Sequence, residues 1–188
     1  LGKVIVIAPD KPQSGTGHSI TIHSGLWLEK VRVFGCEQEF TCSGTPVDCV
    51  KIAVHKILKR KPDLCVSGIN HGSNSSINVI YSGTMSAALE GAIEEIPSIG
   101  FSLCNDSLKA DFSTAKKYVR IVAETALCNR FPQGVCLNVN VPYVEEHWIA
   151  GIKVCSQANA YWREHYEARN DKEGKTYFKY LIILTTFF

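Results

Sequence analysis

The chain has 188 residues, 45% of them hydrophobic, which predicts one soluble globular domain with a substantial core. Its 20 basic and 18 acidic side chains give a formal net charge of +2. This near balance offers no support for nucleic acid or an anionic membrane as a partner, whereas small acidic or phosphorylated molecules are compatible with it.

The first part of the chain predicts a strand, a hairpin and a helix. Consecutive Val and Ile residues at 4–7 are typical of a parallel strand that is covered on both faces. The stretch HSITIHSGLWLEKVRVF, residues 18–34, predicts an extended hairpin with Gly25 as its turn. TPVDCVKIAVHKILKRK, residues 45–61, predicts a helix with Thr45 as its N-cap, and Pro62 is predicted to end it.

Strands and helices then alternate. The apolar stretches LCVSGIN, PSIGFSL and GVCLNVNVP predict strands, and SGTMSAALEGAIEEI and DFSTAKKYVRIVAETALCNR predict the helices between them. Repeated strand and helix units predict a Rossmann-like three-layer α/β/α fold with a mostly parallel sheet over residues 1–157. Residues 158–188 are predicted to form a C-terminal arm or extension with extended hairpin elements.

The eight cysteines predict reduced structural thiols. Several of them lie in apolar strand-like or helical runs, no CxxC pair occurs, and no Cys/His cluster has the spacing of zinc ligands. The longest apolar run, YLIILTTFF at 180–188, is far shorter than the roughly 20 residues that span a bilayer. The cytoplasm is therefore the expected compartment.

Three loops at predicted strand ends are rich in Ser, Gly, Thr and Asn. They are APDKPQSGTGHS, SGINHGSN and YSGT, and the last leads directly into a helix. Short hydroxyl and amide side chains with glycines suit a hard cation and phosphate oxygens, and a helix N-terminus favours an anion. The same residues are also ordinary turn formers. No GxGxxG, P-loop or GxSxG motif supports a dinucleotide, a P-loop nucleotide or a nucleophilic serine.

At this point the order of motifs becomes specific. APDKPQSGTGHSIT, GTPVDCV, DLCVSGINHGSN, VIYSGTMSAALEGA and LNVNVP…GIKV follow one another in the order found in the SurE family, which the chain resembles over residues 4–157. Members of this family are metal-dependent nucleoside monophosphate phosphatases. The resemblance implies hydrolysis of nucleoside 5'-monophosphates, and of 3'-monophosphates as a further substrate, with one divalent ion such as Mn²⁺, Mg²⁺ or Ca²⁺. It also implies a homodimer or homotetramer.

The resemblance also implies a set of site residues. Ser14 and Asn70 match two metal ligands of the family. Asn74 and the turn Ser82, Gly83 and Thr84 match the positions that line its phosphate pocket and carry catalysis.

Other polar residues near these motifs have weaker interpretations. His71, in the second loop, is a weaker candidate for a substrate contact, and His18 is weaker still. Asp10 is interpreted as a turn residue, Asp48 as a helix-start residue and Glu90 as structural.

One part of the family pattern is missing, because the family holds its metal with two adjacent aspartates and this sequence contains no such pair. Either the parent protein supplies them before Leu1, or the chain is a catalytically inactive module that binds nucleotide or phosphate. A Rossmann-like transferase with another cofactor is a third alternative. The sequence that precedes Leu1 in the open reading frame discriminates between the first two.

Overall fold

The computed structural model describes residues 1–129 and 132–186. These residues divide into two compact units. The first unit comprises residues 1–74 and 78–152, and the second comprises residues 75–77 and the chain from Lys153 onward.

The first unit contains a three-stranded sheet near the start of the chain. Strand β1 (Ile5–Pro9) pairs in parallel with β3 (Gln38–Cys42), which pairs in antiparallel fashion with β2 (Leu28–Lys30). The predicted hairpin over residues 18–34 is wrong, since β2 is the only strand in that stretch and its partner is β3.

The reason for this difference lies in a buried carboxylate. Asp48 accepts hydrogen bonds from the backbone N–H of Thr21 (3.1 Å) and from its hydroxyl (2.6 Å), and the Thr45 hydroxyl donates to the Ser19 carbonyl (2.7 Å). These bonds satisfy polar groups of the stretch that a strand partner would otherwise take. Burial raises the pKa of Asp48, but the bonds from Thr21 and Thr45 outweigh it and the pKa is lowered overall.

A second sheet in the same unit is entirely parallel. It has the order β4 (Cys65–His71), β5 (Ser98–Cys104) and β6 (Cys136–Pro142). Strand β5 is in the middle and is buried from Ser98 to Leu103. Parallel strands with intervening helices confirm the predicted Rossmann-like α/β class.

In the described part of the chain, four α-helices accompany these sheets. They are α1 (Pro46–Ile52), α2 (Asn78–Tyr81), α3 (Gly83–Ile93) and α4 (Ser113–Cys128). Helix α1 continues into one π-helical turn, Ala53–Ile57, so the predicted helix over 45–61 ends at Leu58, earlier than expected. The interpretation of Asp48 as a helix-start residue is confirmed, because it forms a capping box with Thr45.

The core of the first unit packs α4 against β5. Ile99 and Phe101 of β5 cluster with Ala126 of α4, and further along the strand Leu103 clusters with Ala115 and Val141. All eight cysteines are free thiols, but the prediction that they are structural is wrong for Cys128 and Cys155, which are exposed although they lie in helical or apolar sequence runs. Because β5 is covered along its length, its carboxyl end and those of its neighbours are held at a fixed edge.

The second unit contains a long antiparallel hairpin, with β7 (Ala160–Asn170) paired to β8 (Thr176–Thr186). The Ser76 hydroxyl accepts from the Ala160 backbone N–H at 2.7 Å and donates to the Ala160 carbonyl at 2.6 Å. Residues 187 and 188 of the predicted C-terminal arm lie outside the described residues. No helix in the described part of the chain is long and apolar enough to cross a membrane.

Candidate functional site

Two of the predicted site segments lie side by side. Asn70 is the next-to-last residue of β4, and Thr84 lies in the first turn of α3. The Thr84 hydroxyl lies 3.4 Å from the Asn70 side-chain oxygen, at the long end of hydrogen-bonding range. The carboxyl end of a parallel strand and the N-terminus of a helix therefore meet at one point, as the sequence predicts.

The orientation of the Asn70 side chain is fixed by the hydrogen bonds of its amide nitrogen. Its Nδ2 donates to the carbonyls of His71 (2.8 Å) and Gly72 (2.9 Å), so both amide protons are used and the amide oxygen is the end that approaches Thr84. The pairing of β4 with β5 is irregular between Ser67 and Asn70. Gly68, with φ of 119°, approaches the Phe101 carbonyl too closely for any Cβ.

The loop that carries Ser14 contacts the turn that carries Ser82 to Thr84. The Gly17 backbone N–H donates to the Tyr81 carbonyl at 3.2 Å. A Cβ on Gly83 would lie 3.4 Å from the Gln13 carbonyl oxygen, so the two backbones pass close to each other. Ser14 itself is exposed. The Ser14 loop and the end of β4 that carries Asn70 thus each contact the region of the 82–84 turn at the start of α3.

Ser82 is the N-cap of α3 as well as a predicted phosphate ligand. Its side-chain oxygen accepts from the Met85 backbone N–H at 3.1 Å. The hydroxyl proton is not used by that bond and can be donated elsewhere. The first N–H groups of a helix lack intrahelical acceptors, and no acidic residue occupies the first turn of α3. This turn therefore offers donors and a favourable dipole to an anion.

Asn74 is 4% exposed and is more deeply placed than a loop ligand is expected to be. Its backbone N–H donates to the Asn140 side-chain oxygen at 2.8 Å, and its Nδ2 donates to the Ser102 hydroxyl at 2.8 Å. One proton of that Nδ2 remains after the bond to Ser102.

His71 is held by two contacts. Its Nδ1 lies 2.9 Å from the Ser107 carbonyl oxygen, and its ring makes an edge contact with Phe112 at 4.9 Å between centroids. Because a carbonyl only accepts, Nδ1 carries the proton, and Nε2 is the acceptor nitrogen of the neutral ring.

A buried carboxylate anchors the segment that follows the Ser14 loop. Glu90 of α3 is 4% exposed and accepts from His18 Nε2 and Lys51 Nζ, each at 2.7 Å. Burial raises the pKa of Glu90, but the bonds from Lys51 and His18 outweigh it, so the pKa lies below its ordinary value. Its burial and its two ion pairs agree with the interpretation of Glu90 as structural, which stays a prediction. A signal for its partners existed in the sequence, since Glu90 falls among the small and apolar residues of α3 and needs counter-charges there.

The residues that resemble metal ligands fit a hard cation in kind. A hydroxyl from Ser14 and an amide oxygen from Asn70 are oxygen donors of the type that Mg²⁺, Mn²⁺ and Ca²⁺ accept. Both are uncharged, so they fit as neutral members of an oxygen shell. No group of three or more His, Cys, Asp or Glu residues that could hold a metal occurs in the described ranges 1–129 and 132–186.

Comparisons with known proteins agree on one family. A model of the family described as Survival protein SurE matches residues 1–164. The chain is 58% identical to the 5'-nucleotidase SurE of Christiangramia forsetii over 95% of this chain and 69% of that protein. It is 58% identical to the 5'-nucleotidase SurE of Flavobacterium johnsoniae over the same shares of the two chains.

A solved structure gives the same result for the fold. The crystal structure of the SurE protein from Aquifex aeolicus superposes with a TM-score of 0.82 at 37% identity, over 100% of this chain and 73% of that chain.

Proposed function

This chain belongs to the SurE family, and we propose that it forms the catalytic α/β domain of a divalent-metal-dependent phosphomonoesterase that hydrolyses nucleoside 5'-monophosphates to nucleoside and phosphate. Nucleoside 3'-monophosphates are proposed as further substrates. The observation that carries the proposal is the 3.4 Å approach of Thr84 to Asn70, because it brings the proposed metal-ligand oxygen beside a helix N-terminus that suits an anion.

The phosphate is proposed to lie at the start of α3. The Ser82 hydroxyl proton and the backbone N–H groups of Gly83 and Thr84 would donate to its oxygens, assisted by the helix dipole. These donors are fixed before the reaction begins, so they stabilise the charge that develops as the ester bond breaks without reorganising. Ser82, Gly83 and Thr84 are therefore the proposed catalytic residues.

Ser14 and Asn70 are proposed as neutral ligands of the metal. Held by these oxygens, a divalent ion would supply polarisation of phosphoryl oxygens and a lowered pKa of a bound water. Hard oxygen ligands of this kind are shared by Mg²⁺, Mn²⁺ and Ca²⁺. The negative charge that such an ion needs is proposed to come from the aspartate pair of the family pattern, which does not occur in these 188 residues.

Asn74 and His71 are proposed to border the phosphate. Asn74 has one Nδ2 proton left after its bond to Ser102, and this proton is the proposed contact with a phosphate oxygen. His71 is the weaker proposed substrate contact, because its Nδ1 is already bonded to the Ser107 carbonyl. From the family resemblance alone, a homodimer or homotetramer in the cytoplasm is proposed as well.

Hydrolysis with controlled metal tests this function. The protein is expressed from its complete open reading frame, stripped of metal, and assayed with nucleoside monophosphates and an aryl phosphate. Hydrolysis is expected to require added Mn²⁺ or Mg²⁺ and to stop with a chelator. Undiminished hydrolysis after exhaustive metal removal would contradict the proposal. Nucleotide binding without hydrolysis under every metal tested would show a binding module instead.

A further inference from the structure

Asn74 is enclosed by polar side chains from two neighbouring strands. Asn138 and Asn140 lie two residues apart on β6, so their side chains share one face of the sheet. Asn140 Oδ1 accepts from the Asn74 backbone N–H at 2.8 Å, and Asn138 Nδ2 donates to the Asn74 carbonyl at 2.8 Å. Ser102 on β5, which pairs with Asn140 in the sheet register, accepts from Asn74 Nδ2.

These bonds leave Asn74 little freedom. Its backbone donor, its backbone acceptor and one side-chain proton are all taken by side chains of the sheet rather than by water or by other loop backbone. Asn140 Nδ2 also donates to Asn138 Oδ1 at 3.0 Å, so the two strand asparagines orient each other. A network of linked hydrogen bonds of this kind, partly buried in the protein, restricts Asn74 to one geometry while leaving its second Nδ2 proton available.

The network also reaches the residue before Asn74. The Ser73 hydroxyl donates to Asn140 Oδ1 at 3.2 Å, and Asn78 at the start of α2 donates from Nδ2 to the Ser73 carbonyl at 3.1 Å. The loop that follows Asn70 is thereby joined both to β6 and to the short helix that precedes Ser82. A shift of Asn140 would therefore displace the loop that connects Asn70 to the 82–84 turn.

We propose that Ser102, Asn138 and Asn140 are positioning residues of the phosphate site, which hold Asn74 and its remaining Nδ2 proton in place before substrate arrives. This inference rests on the proposed function, because it assigns the network to that same site. None of the three touches the substrate. Because they order the loop when the protein folds, substrate binding does not have to supply the free energy that offsets the loss of loop entropy.

A purely structural cluster would give a different outcome, and β5 offers a matched control. Ser102 and Ser98 are both 0% exposed serines on this strand, four residues apart. The Ser98 hydroxyl donates to the Ile96 carbonyl at 2.7 Å, at the end of the strand remote from Asn74. Ser98→Ala and Ser102→Ala thus each remove one buried hydroxyl and its hydrogen bonding, and only the second change touches the loop.

The experiment measures competitive inhibition by inorganic phosphate together with kcat and KM, on the metal-loaded protein from the complete open reading frame. Ser102→Ala and Asn140→Ala are expected to raise the phosphate inhibition constant and to lower kcat/KM by about tenfold each, since small displacements of a positioned group cost one to two orders of magnitude. Ser98→Ala is expected to match the wild type in both. Hydrogen exchange at the Asn74 backbone N–H is expected to accelerate in Asn140→Ala only, because Asn140 Oδ1 is the acceptor of that N–H.

The two failures are distinguishable. If the wild type hydrolyses phosphomonoesters and Ser102→Ala keeps the phosphate inhibition constant and kcat/KM of Ser98→Ala, the positioning inference is wrong and the proposed function stands. If the metal-loaded wild type neither hydrolyses phosphomonoesters nor binds phosphate, the proposed function is wrong and the inference falls with it. Ser102→Ala keeps the test decisive even where Asn140→Ala does not fold, because it deletes a single oxygen atom.

Discussion

The hydroxyl of Thr84, in the first turn of α3, lies 3.4 Å from the side-chain oxygen of Asn70 at the end of β4. Asn70 presents this oxygen because its amide nitrogen is bonded to the carbonyls of His71 and Gly72. An oxygen suited to a cation and a helix N-terminus suited to an anion are thus neighbours, which is the arrangement that the proposed hydrolysis uses.

Replacing Thr84 tests this contact with little change in shape. Thr84→Val keeps the β-branch and removes the hydroxyl that approaches Asn70. We expect a fall in kcat of about tenfold, because the hydroxyl that donates to Asn70, the proposed metal ligand, is lost and that ligand is held less well in place. Steady-state kinetics at saturating metal measure this.

Thr125→Val is the matched control for that change. The Thr125 hydroxyl donates to the Ile121 carbonyl on the exposed side of α4, away from the proposed site. The Thr125→Val variant should keep the kcat of the wild type. Equal effects of Thr84→Val and Thr125→Val on kcat would argue against a role for the Thr84 hydroxyl.

Ser82 carries two roles that two substitutions can separate. Ser82→Ala removes both the cap bond to the Met85 N–H and the proposed phosphate donor, whereas Ser82→Gly removes the hydroxyl but leaves an acceptable N-cap residue. Both variants are expected to lose turnover on the order of 10²-fold. Only Ser82→Ala should lose about 1 kcal/mol of unfolding free energy. Denaturant unfolding and kinetics on the same samples give the comparison, and turnover that followed stability alone would contradict the catalytic role.

Glu90 makes stability depend on pH in a defined direction. Its pKa in the folded protein lies below the ordinary value of 4.5, because the bonds from Lys51 and His18 outweigh the effect of burial. The unfolded state therefore binds the proton more readily, so the stability from Glu90 is present above about pH 4.5 and is lost as the pH falls through the folded pKa. Glu90→Gln should destabilise the protein by roughly 1–3 kcal/mol at pH 7.

The measurement is denaturant unfolding of wild type and Glu90→Gln at neutral pH and at about pH 4. The difference between the two proteins should shrink as the pH falls. Glu95→Gln is the control, since Glu95 pairs with Lys61 at 2.8 Å on the exposed surface and such pairs contribute little. A constant difference at all pH values would show that the ion pairs of Glu90 do not stabilise the fold.

Local signals in the sequence predicted the parts of the fold that depend on neighbours in the chain. Thr45 and Asp48 lie three residues apart, and their capping box follows from that spacing. The meeting of Asn70 with the 82–84 turn follows from the rule that ligand sites form at the carboxyl ends of parallel strands.

Contacts between distant residues escaped prediction. The hairpin predicted over 18–34 does not form, because Thr21 donates its hydrogen bonds to Asp48, which lies 27 residues further along the chain. The role of Asn140 could not be predicted, because its hydrogen bond to Asn74 joins residues 66 positions apart and nothing in the local sequence indicates the partner of an asparagine on a strand. Ser82 was assigned to phosphate alone, since its bond to Met85 depends on where α3 begins.

The metal dependence of Asn70→Ala tests the central claim most directly. The protein from the complete open reading frame is stripped of metal and its hydrolysis of an aryl phosphate is titrated with Mn²⁺, for the wild type and for Asn70→Ala. Removing the amide oxygen should raise the Mn²⁺ concentration for half-maximal activity by about tenfold or more, since a lost ligand weakens the shell while a loop residue contributes little packing. Unfolding free energy should change little. An unchanged Mn²⁺ midpoint in a folded Asn70→Ala variant would contradict the proposed site.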